Sequence, residues 1–422
     1  MKRIVVVLLL WALIVPLGFA SGQQETGKPQ VVQIELFWES GELQSYERDE
    51  LQTLLDEYEK AHPNVKIQNN PFIGDAEDYQ AKLLSRLRSG NGPDIYTVGD
   101  NTLFRYAKAG MAAEVPADFA NSLETRFPAA LKNGMTTALS WDNTLFGVPW
   151  NADWVSLWYN RDMFQDAGLD PDNPPRTLEE LRAAAKKLTV RENGRIVRSG
   201  ISLRATSGGG GQTDKWINFL TAEGGRLFND DMTKCLVNSD AGVAALQYYL
   251  TLLYDDKVDS VDLEPRDSQG FAQGKTAMFG RGPWVLSFLQ DAAPNLNYDV
   301  APFPGKSIPF VDGLVVNADS KSKNAVWEFL SWFMQADNFG RWQEALNSVP
   351  LLSDVAQRPY FQKNKILAAF SEQPLYDVPQ HERLLEMKKI LGDYMAKAVY
   401  HELTPKQALD QAAKEIDAIL AE

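Results

Sequence analysis

Cysteine and histidine are scarce in this chain, which contains one cysteine, Cys235, and three histidines among its 422 residues. A single cysteine cannot form an internal disulfide, so no covalent framework holds the fold. The histidines, His62, His381 and His401, are too far apart in sequence to suggest a zinc motif. We therefore expect no metal and no cofactor, and we expect a large hydrophobic core to provide the stability.

Positive charge is also in short supply. Lys and Arg number 42 against 56 Asp and Glu, which gives a formal net charge of −14 and a pI of about 4.9. This balance argues against nucleic acid or an anionic membrane surface as the partner. After the amino-terminal segment, the sequence has no run that is long and apolar enough to span a bilayer.

The amino terminus has the pattern of a secretory signal peptide. Two basic residues are followed by the apolar run Ile4–Leu17 and by small residues that end at Ala20. The alternative is a membrane anchor, but the apolar run is short for that and polar residues follow it at once. We predict a signal peptide over residues 1–20, a flexible leader over residues 21–30 and a periplasmic location. No cysteine lies near the cleavage site, so we expect no lipid anchor.

What the chain does contain is an alternation of strand and helix patterns. Val31–Trp38, Val65–Ile67 and Ile95–Val98 are rich in β-forming residues and predict strands. The amphipathic stretches Glu47–His62 and Tyr79–Leu87 predict the helices between them. The fold class is therefore predicted as α/β with a mostly parallel, doubly wound sheet. The length suffices for two domains.

The stretch over residues 271–284 has the strongest local pattern. The apolar run Thr276–Phe279 predicts a buried strand, and the glycines and proline of residues 280–283 predict a sharp turn. Trp284 follows at this turn, and Val285–Leu289 predicts a helix. A tryptophan displayed in this way can form the flat wall of a binding cleft. The alternative is a core tryptophan that seals the loop.

The pattern Phe-x-x-Gly-Lys-x-Ala-Met-x-x-x-Gly-Pro-Trp in this stretch resembles the signature of the family 1 extracellular solute-binding proteins, the carbohydrate receptors of ABC importers. Other segments resemble the same family, in the same order, from about residue 31 to about residue 350. Each match is short, and their common order makes the resemblance specific. The further segments are Gly92–Asp100, Ala107–Val115, Phe146–Gly168 and Asp312–Leu330.

The resemblance implies the periplasmic binding protein fold, in which two doubly wound α/β lobes enclose a ligand cleft. Three crossing segments join the lobes, and we expect them near Trp150–Asp153, Phe310–Gly313 and Gln335–Gly340. Such lobes close on a ligand by bending at the hinge. The expected lobes are residues 31–150 with 312–336 for the first, and residues 151–311 with 337–422 for the second.

Strand ends and crossing segments supply several candidate binding residues. Ligands of open α/β sheets bind outside the carboxyl ends of the strands, which makes Trp38 and Glu39 candidates, with packing as the alternative. The crossing stretch around residue 150 adds Trp150 and Asn151. On the return crossing, Asp312 could bond hydroxyl groups and Gly313 would allow close approach of a ligand to the backbone.

The resemblance itself implies four more positions. Asp153 falls where a family member has a sugar-binding carboxylate, and Asp100 falls near the end of the Pro-Asp strand, where such carboxylates are frequent. Trp216 lies in a stretch that carries sugar contacts in the family, and Arg383 lies at a helix start that often adds one. Packing, capping and surface roles are the alternatives for these residues.

We therefore expect a monomeric binding protein that captures a sugar or oligosaccharide and delivers it to the membrane permease subunits of an ABC importer, without catalysis. Aromatic rings would stack on the sugar, and carboxylates and amides would bond its hydroxyls. The alternatives are a secreted glycoside hydrolase or lyase, or the same fold binding another solute such as a polyamine or an iron complex. A glycosidase needs two carboxylates on either side of one bond, and the sequence marks no such pair.

Overall fold

The computed structural model describes residues 31–40, 45–74, 76–205, 209–263, 265, 267–376 and 381–422. The predicted signal peptide and leader lie outside these ranges. Within them, no helix is long and apolar enough to cross a membrane.

The described elements alternate along the chain as the sequence predicts. The strands are β1 (Val32–Glu39), β2 (Val65–Phe72), β3 (Ile95–Gly99), β4 (Ser140–Trp141), β5 (Thr144–Leu145), β6 (Gly147–Asp153), β7 (Ser156–Asn160), β8 (Val190–Glu192), β9 (Arg195–Arg198), β10 (Met278–Arg281), β11 (Tyr298–Ala301) and β12 (Phe310–Val316). The α-helices are α1 (Ser45–Ala61), α2 (Ala76–Arg88), α3 (Asp100–Lys108), α4 (Ala117–Arg126), α5 (Lys132–Leu139), α6 (Arg161–Asp166), α7 (Leu178–Leu188), α8 (Gly209–Ala222), α9 (Asp240–Leu250), α10 (Asp267–Ala272), α11 (Val285–Ala292), α12 (Lys323–Phe333), α13 (Ala336–Ala345), α14 (Pro359–Lys363), α15 (Lys365–Ser371), α16 (Leu384–Val399) and α17 (Pro405–Leu420). A π-helical turn spans Thr251–Asp255 and a 3₁₀ turn spans Val355–Gln357.

The larger sheet has five strands in the order β2-β1-β3-β12-β6. β1 pairs in parallel with β2 and β3, and helices connect these strands, as predicted for a doubly wound sheet. β12 runs antiparallel between β3 and β6, because the chain enters it from the other sheet. β2 contains Pro71 and is the edge strand, where a missing N–H removes no ladder hydrogen bond.

The second sheet has three named strands in the order β10-β7-β11, and both pairs are antiparallel. Two isolated parallel bridges, Ser199 with Thr276 and Ser202 with Phe279, extend its pairing on the β10 side. The predicted parallel sheet is therefore correct for the start of the chain, and this second sheet differs. Two residues separate the end of β6 in the larger sheet from the start of β7 in the second, so the chain passes from one sheet to the other directly after Asp153.

Three tryptophans from distant parts of the chain pack together beside the larger sheet. The Trp38 ring lies edge-on to Trp150 and Trp342, with centroid distances of 5.7 Å and 6.0 Å. The Trp150 and Trp342 centroids lie 4.5 Å apart, and all three side chains are buried. Trp38 Nε1 donates a hydrogen bond of 2.8 Å to Asn69 Oδ1. This cluster joins β1, β6 and α13 in one core.

The helices α8, α9, α16 and α17 pack around a second core. Trp216 and Ile217 of α8 are fully buried there together with Leu246 of α9, Met395 of α16 and Leu409 of α17. Burial of such side chains contributes about 1.5–3 kcal/mol each relative to exposure. This core gives the part of the chain beyond the first crossing a separate source of stability.

The third crossing lies later than the sequence predicts. The expected lobes assign residues 337–422 to the second lobe, but Arg341 of α13 forms ion pairs with Glu50 and Glu57 of α1, the helix that connects β1 and β2 of the larger sheet. The chain reaches the second sheet at α15, where the Phe370 ring packs 5.9 Å from Trp158 of β7. The crossing therefore lies between α13 and α15. The sequence pattern of an amphipathic helix does not tell which sheet its apolar face covers.

Replacing Trp342 with Ala should lower the free energy of unfolding by about 3–5 kcal/mol, because the ring is fully buried and its loss leaves a cavity. Denaturant unfolding followed by circular dichroism measures the change. Trp284→Ala is the matched control, since that ring is 39% exposed and its removal should leave the stability nearly unchanged. Equal losses in the two variants would contradict this assignment of core and surface.

Candidate functional site

Trp284 is displayed on a turn between a strand and a helix, as the sequence predicts. β10 ends at Arg281, Gly282 and Pro283 make the turn, and Trp284 directly precedes α11. Among the described residues it is the one exposed tryptophan. The Arg281 guanidinium carbon lies 5.4 Å from the centroid of its ring. The indole therefore presents apolar surface to solvent next to a cation.

Asp153, the last residue of β6, lies against the same turn. A Cβ on Gly282 would stand 3.1 Å from Asp153 Oδ2 and 3.0 Å from Trp284 Cδ1. Both distances are tighter than ordinary carbon contacts, so a larger residue at position 282 would push the carboxylate and the ring apart. The structure thus brings together two of the residues that the sequence predicts for the site, and a glycine makes their approach possible.

The carboxyl group of Asp153 is electrostatically unusual. Burial raises its pKa to about 7, and the neighbouring carboxylate of Asp214 raises it further in the same direction. No hydrogen bond from a described residue is among the causes that shift this pKa, so the charged form gains little to replace its hydration. Near neutral pH this group can both accept and donate hydrogen bonds.

Asp214 of α8 is held by an ion pair between its Oδ1 and Lys388 Nζ of α16. Burial raises the pKa of Asp214, and the cation of Lys388 opposes that shift. Lys388 Nζ also lies 5.2 Å from the centroid of the Phe310 ring, directly beside the β6 and β12 pair. A carboxylate, an ammonium group and an aromatic ring therefore adjoin Asp153.

Local sequence patterns do not identify Asp214, Lys388 or Arg281 as site residues. The helical spacing of α8 could have indicated Asp214. Thr213, Trp216, Ile217 and Leu220 form the buried face of this helix, and Asp214 is a partly exposed acidic residue within the same stretch. That spacing assigns Trp216 to the core and leaves Asp214 for the site. Lys388 gives no comparable signal, because its pairing with Asp214 spans 174 residues of sequence.

A second group of polar residues lies at the end of the larger sheet where strands β1 and β3 terminate. Asp312 of β12 is exposed and stands opposite Gly99 of β3 on one side and Asn151 of β6 on the other. Asn151 Oδ1 accepts a hydrogen bond of 2.7 Å from Ser348 Oγ. Asp100 follows Gly99 as the first residue of α3, and its side chain lies outside the described part of the structure.

Glu39 is the last residue of β1 and lies at the same end of the sheet. Its backbone N–H donates a hydrogen bond of 3.0 Å to Thr97 Oγ1 of the neighbouring β3. Burial raises the pKa of the Glu39 carboxyl group. The pairing registers of the strands therefore place Glu39, Asp312 and Asn151 at one end of the larger sheet. Asp153 follows two residues after Asn151.

Three of the predicted aromatic walls are core residues. Trp38 and Trp150 lie in the tryptophan cluster of the larger sheet, and Trp216 is fully buried in the second core. None of the three presents a ring face to solvent. The physical reason is that a strand-end or helix tryptophan gains most by burying both faces when a hydrophobic layer covers it.

Gly313 and Arg383 also have roles that differ from the prediction. A Cβ on Gly313 would meet Leu139 Cδ2 at 2.7 Å, so this glycine makes room for a core leucine of α5 rather than for a ligand. The Arg383 guanidinium bonds Glu386 and Glu422, and these ion pairs occupy it at the protein surface. In the described part of the chain, no group of histidine, cysteine, aspartate or glutamate residues could hold a metal ion.

Comparison of this chain with known proteins indicates one protein family. The profile of a family described as bacterial extracellular solute-binding protein matches residues 44–338. A binding protein of Brucella abortus is 26% identical to this chain over 361 residues, which is 80% of this chain and 82% of that protein.

Solved structures with the same fold include two with bound sugars. A solute-binding protein of Thermotoga lettingae bound to α-D-tagatose superimposes with a TM-score of 0.77 at 24% identity, and the match covers 92% of this chain and 100% of that one. The GacH receptor of Streptomyces glaucescens, solved unliganded and with acarbose, gives a TM-score of 0.79 at 21% identity over 93% of this chain and 100% of that one. These likenesses confirm the predicted fold class.

The raised pKa of Asp153 predicts a pH-dependent stability. Its folded pKa of about 7 exceeds the unfolded value of about 3.9, so the folded state binds more protons between those values. Asp153 therefore adds its full contribution to the free energy of unfolding below about pH 4. This contribution is lost as the pH rises through about 7. Asp153→Asn, which stays neutral, should melt at increasingly higher temperature than wild type as the pH rises from 4 to 8.

Thermal melts of both proteins across this range measure the effect. Asp393→Asn, at an exposed position of α16, serves as the control for a surface carboxylate. A melting-temperature difference that is the same at every pH would show that Asp153 does not titrate in this range.

Proposed function

We propose that this chain, which belongs to the bacterial extracellular solute-binding protein family, captures a sugar or oligosaccharide and delivers it to the permease of an ABC transporter. The observation that carries the proposal is the exposed ring of Trp284 beside the carboxyl group of Asp153. An aromatic face and a hydroxyl acceptor are the two elements that sugar recognition needs. The tagatose and acarbose bound by proteins of the same fold support it.

The sugar would stack on Trp284, with hydroxyl groups that donate to Asp153 and Asp214. Hydrogen bonds to the charged form favour ionisation, so they would lower the raised pKa of Asp153 when ligand binds. Asp312, Asn151 and Glu39, at the end of the larger sheet, would contact the sugar from the side opposite Trp284. We propose that Asp100 contacts it from the same end. Arg383 does not, because its guanidinium is already paired.

Two lobes would close around this site. We assign β1–β3, β6, β12 and α13 to the first lobe and β7, β10, β11 with α8, α9, α16 and α17 to the second. The β6 and β12 crossing strands would bend at the hinge. An ion pair between Lys108 of α3 and Glu382, just before α16, bridges the two groups of elements on the surface and is consistent with approach of the lobes.

The protein would act in the periplasm as a monomer, without a lipid and without catalysis. The family is extracellular, and the amino-terminal pattern supports export by a signal peptide. Mass spectrometry of the exported protein should find a chain that begins near Ser21 and carries no acyl group. A retained leader or an acylated amino terminus would contradict this part of the proposal.

Trp284→Ala should weaken sugar binding by at least about tenfold, because truncation of a desolvated aromatic anchor typically costs about 2 kcal/mol or more. A thermal-shift screen against mono- and oligosaccharides selects the ligand, and calorimetric titration gives the affinities. Asp153→Asn keeps the shape of the side chain and should weaken binding, because it replaces a charged acceptor with a neutral one.

Tyr400→Ala is the matched control, since Tyr400 is an exposed aromatic residue at the end of α16, away from the site. It should bind like wild type. Wild-type affinity in the Trp284→Ala variant would reject Trp284 as the stacking residue. Release of reducing sugar from any oligosaccharide that binds would favour the glycosidase alternative over transport.

A further inference from the structure

A cluster of cations surrounds Asp267, the first residue of α10. Its side chain is buried, and its backbone is left-handed, with φ of 62°. The Oδ2 atom lies 3.0 Å from Arg204 Nη1, 3.1 Å from Lys215 Nζ and 2.8 Å from Arg281 Nε. Three cations therefore converge on one oxygen of one carboxylate.

The charge of Asp267 compensates this cluster incompletely. Burial lowers the pKa of Lys215, and the nearby charge of Arg204 lowers it further, while Asp267 and Asp259 oppose the shift. Burial is the largest cause of this shift, so Lys215 is a poorly hydrated cation. Arg204 and Arg281 keep 32% and 27% of their side-chain surface exposed, so a solute can reach these two guanidinium groups.

Arg281 connects the cluster to the proposed sugar site. Its guanidinium lies over the Trp284 ring, and its Nε pairs with Asp267 Oδ2 at 2.8 Å, which leaves the terminal N–H groups of the fork. A guanidinium carries five N–H donors in a planar fork that matches carboxylate and phosphate oxygens. Donor capacity for an anion is therefore available beside the stacking ring.

Trp284 has both acidic and cationic neighbours. Asp153 lies against the turn at Gly282, and the charged neighbour that shifts its pKa is Asp214. The cations of the Asp267 cluster include Arg281, whose guanidinium lies over the Trp284 ring. A neutral sugar would bond the acidic groups and leave the cations unused.

We propose that the natural ligand is an acidic sugar, whose carboxylate or phosphate group binds Arg281 and its neighbours Arg204 and Lys215 while its ring stacks on Trp284. This inference rests on the proposed function and narrows it to one substrate class. The Asp267 carboxylate positions the three cations, and the anion of the sugar completes their coordination.

The test compares neutral and acidic members of matched sets: glucose, glucuronate and glucose 6-phosphate, the corresponding galactose set, and their disaccharides. Calorimetric titration of the full mature protein should give at least about tenfold tighter binding for an acidic member, since hydrogen bonds to charged groups contribute more than neutral ones. Added salt should reduce this preference. A preference for the uronate identifies a carboxylate ligand, and a preference for the 6-phosphate identifies a phosphate ligand.

Arg281→Gln should abolish the preference, and Arg281→Lys should retain part of it because the charge remains while the fork is lost. Arg182→Gln, which removes an arginine paired with Asp256 outside the cluster, should keep the preference. Neutral sugars that bind as tightly as their acidic counterparts would overturn this inference and leave the proposed function intact. If no sugar of any set binds, the proposed function fails together with it.

Discussion

The antiparallel pairing of β6 with β12 is the constraint on which the site depends. The register sets Phe310 opposite Asp153 and Asp312 opposite Asn151, with a shift between Asp312 and Gly313. The same two strands pass from the larger sheet toward the second one, so their ladder fixes both the crossing and the site. Leu139 packs at Gly313, where a side chain would disturb that ladder. Core packing at the larger sheet thus controls where the polar residues project.

Buried charge is the second feature that organises the site. Among the described residues no cation pairs with Asp153, whereas Asp214 has one in Lys388 and Asp267 has three. Desolvation of charged groups is unfavourable unless partners replace the lost water. A buried carboxyl group at Asp153 and three cations around the one carboxylate of Asp267 are therefore costly in the protein without ligand. A ligand with hydroxyl groups and an anion would relieve both, which links the electrostatics to binding.

Local sequence patterns predict much of the fold and part of the site. Alternating apolar patterns locate β1, β2, β3 and their helices to within a few residues, except that β2 runs on through Pro71 to Phe72. The Gly-Pro-Trp turn correctly places Trp284 on the surface between strand and helix. The patterns fail for Trp38, Trp150 and Trp216, because position at a strand end or on a helix does not show which layer covers a ring.

The sequence by itself determined the element order, the α/β class, the displayed tryptophan and the family, because these depend on periodicity, turn residues and ordered motifs along the chain. Only the tertiary structure decided that α13 packs on α1, that Lys388 pairs with Asp214, and that three cations gather at Asp267. These contacts join residues tens to hundreds of positions apart. Their geometry follows from how sheets and helices pack, and no local pattern in the chain carries that information.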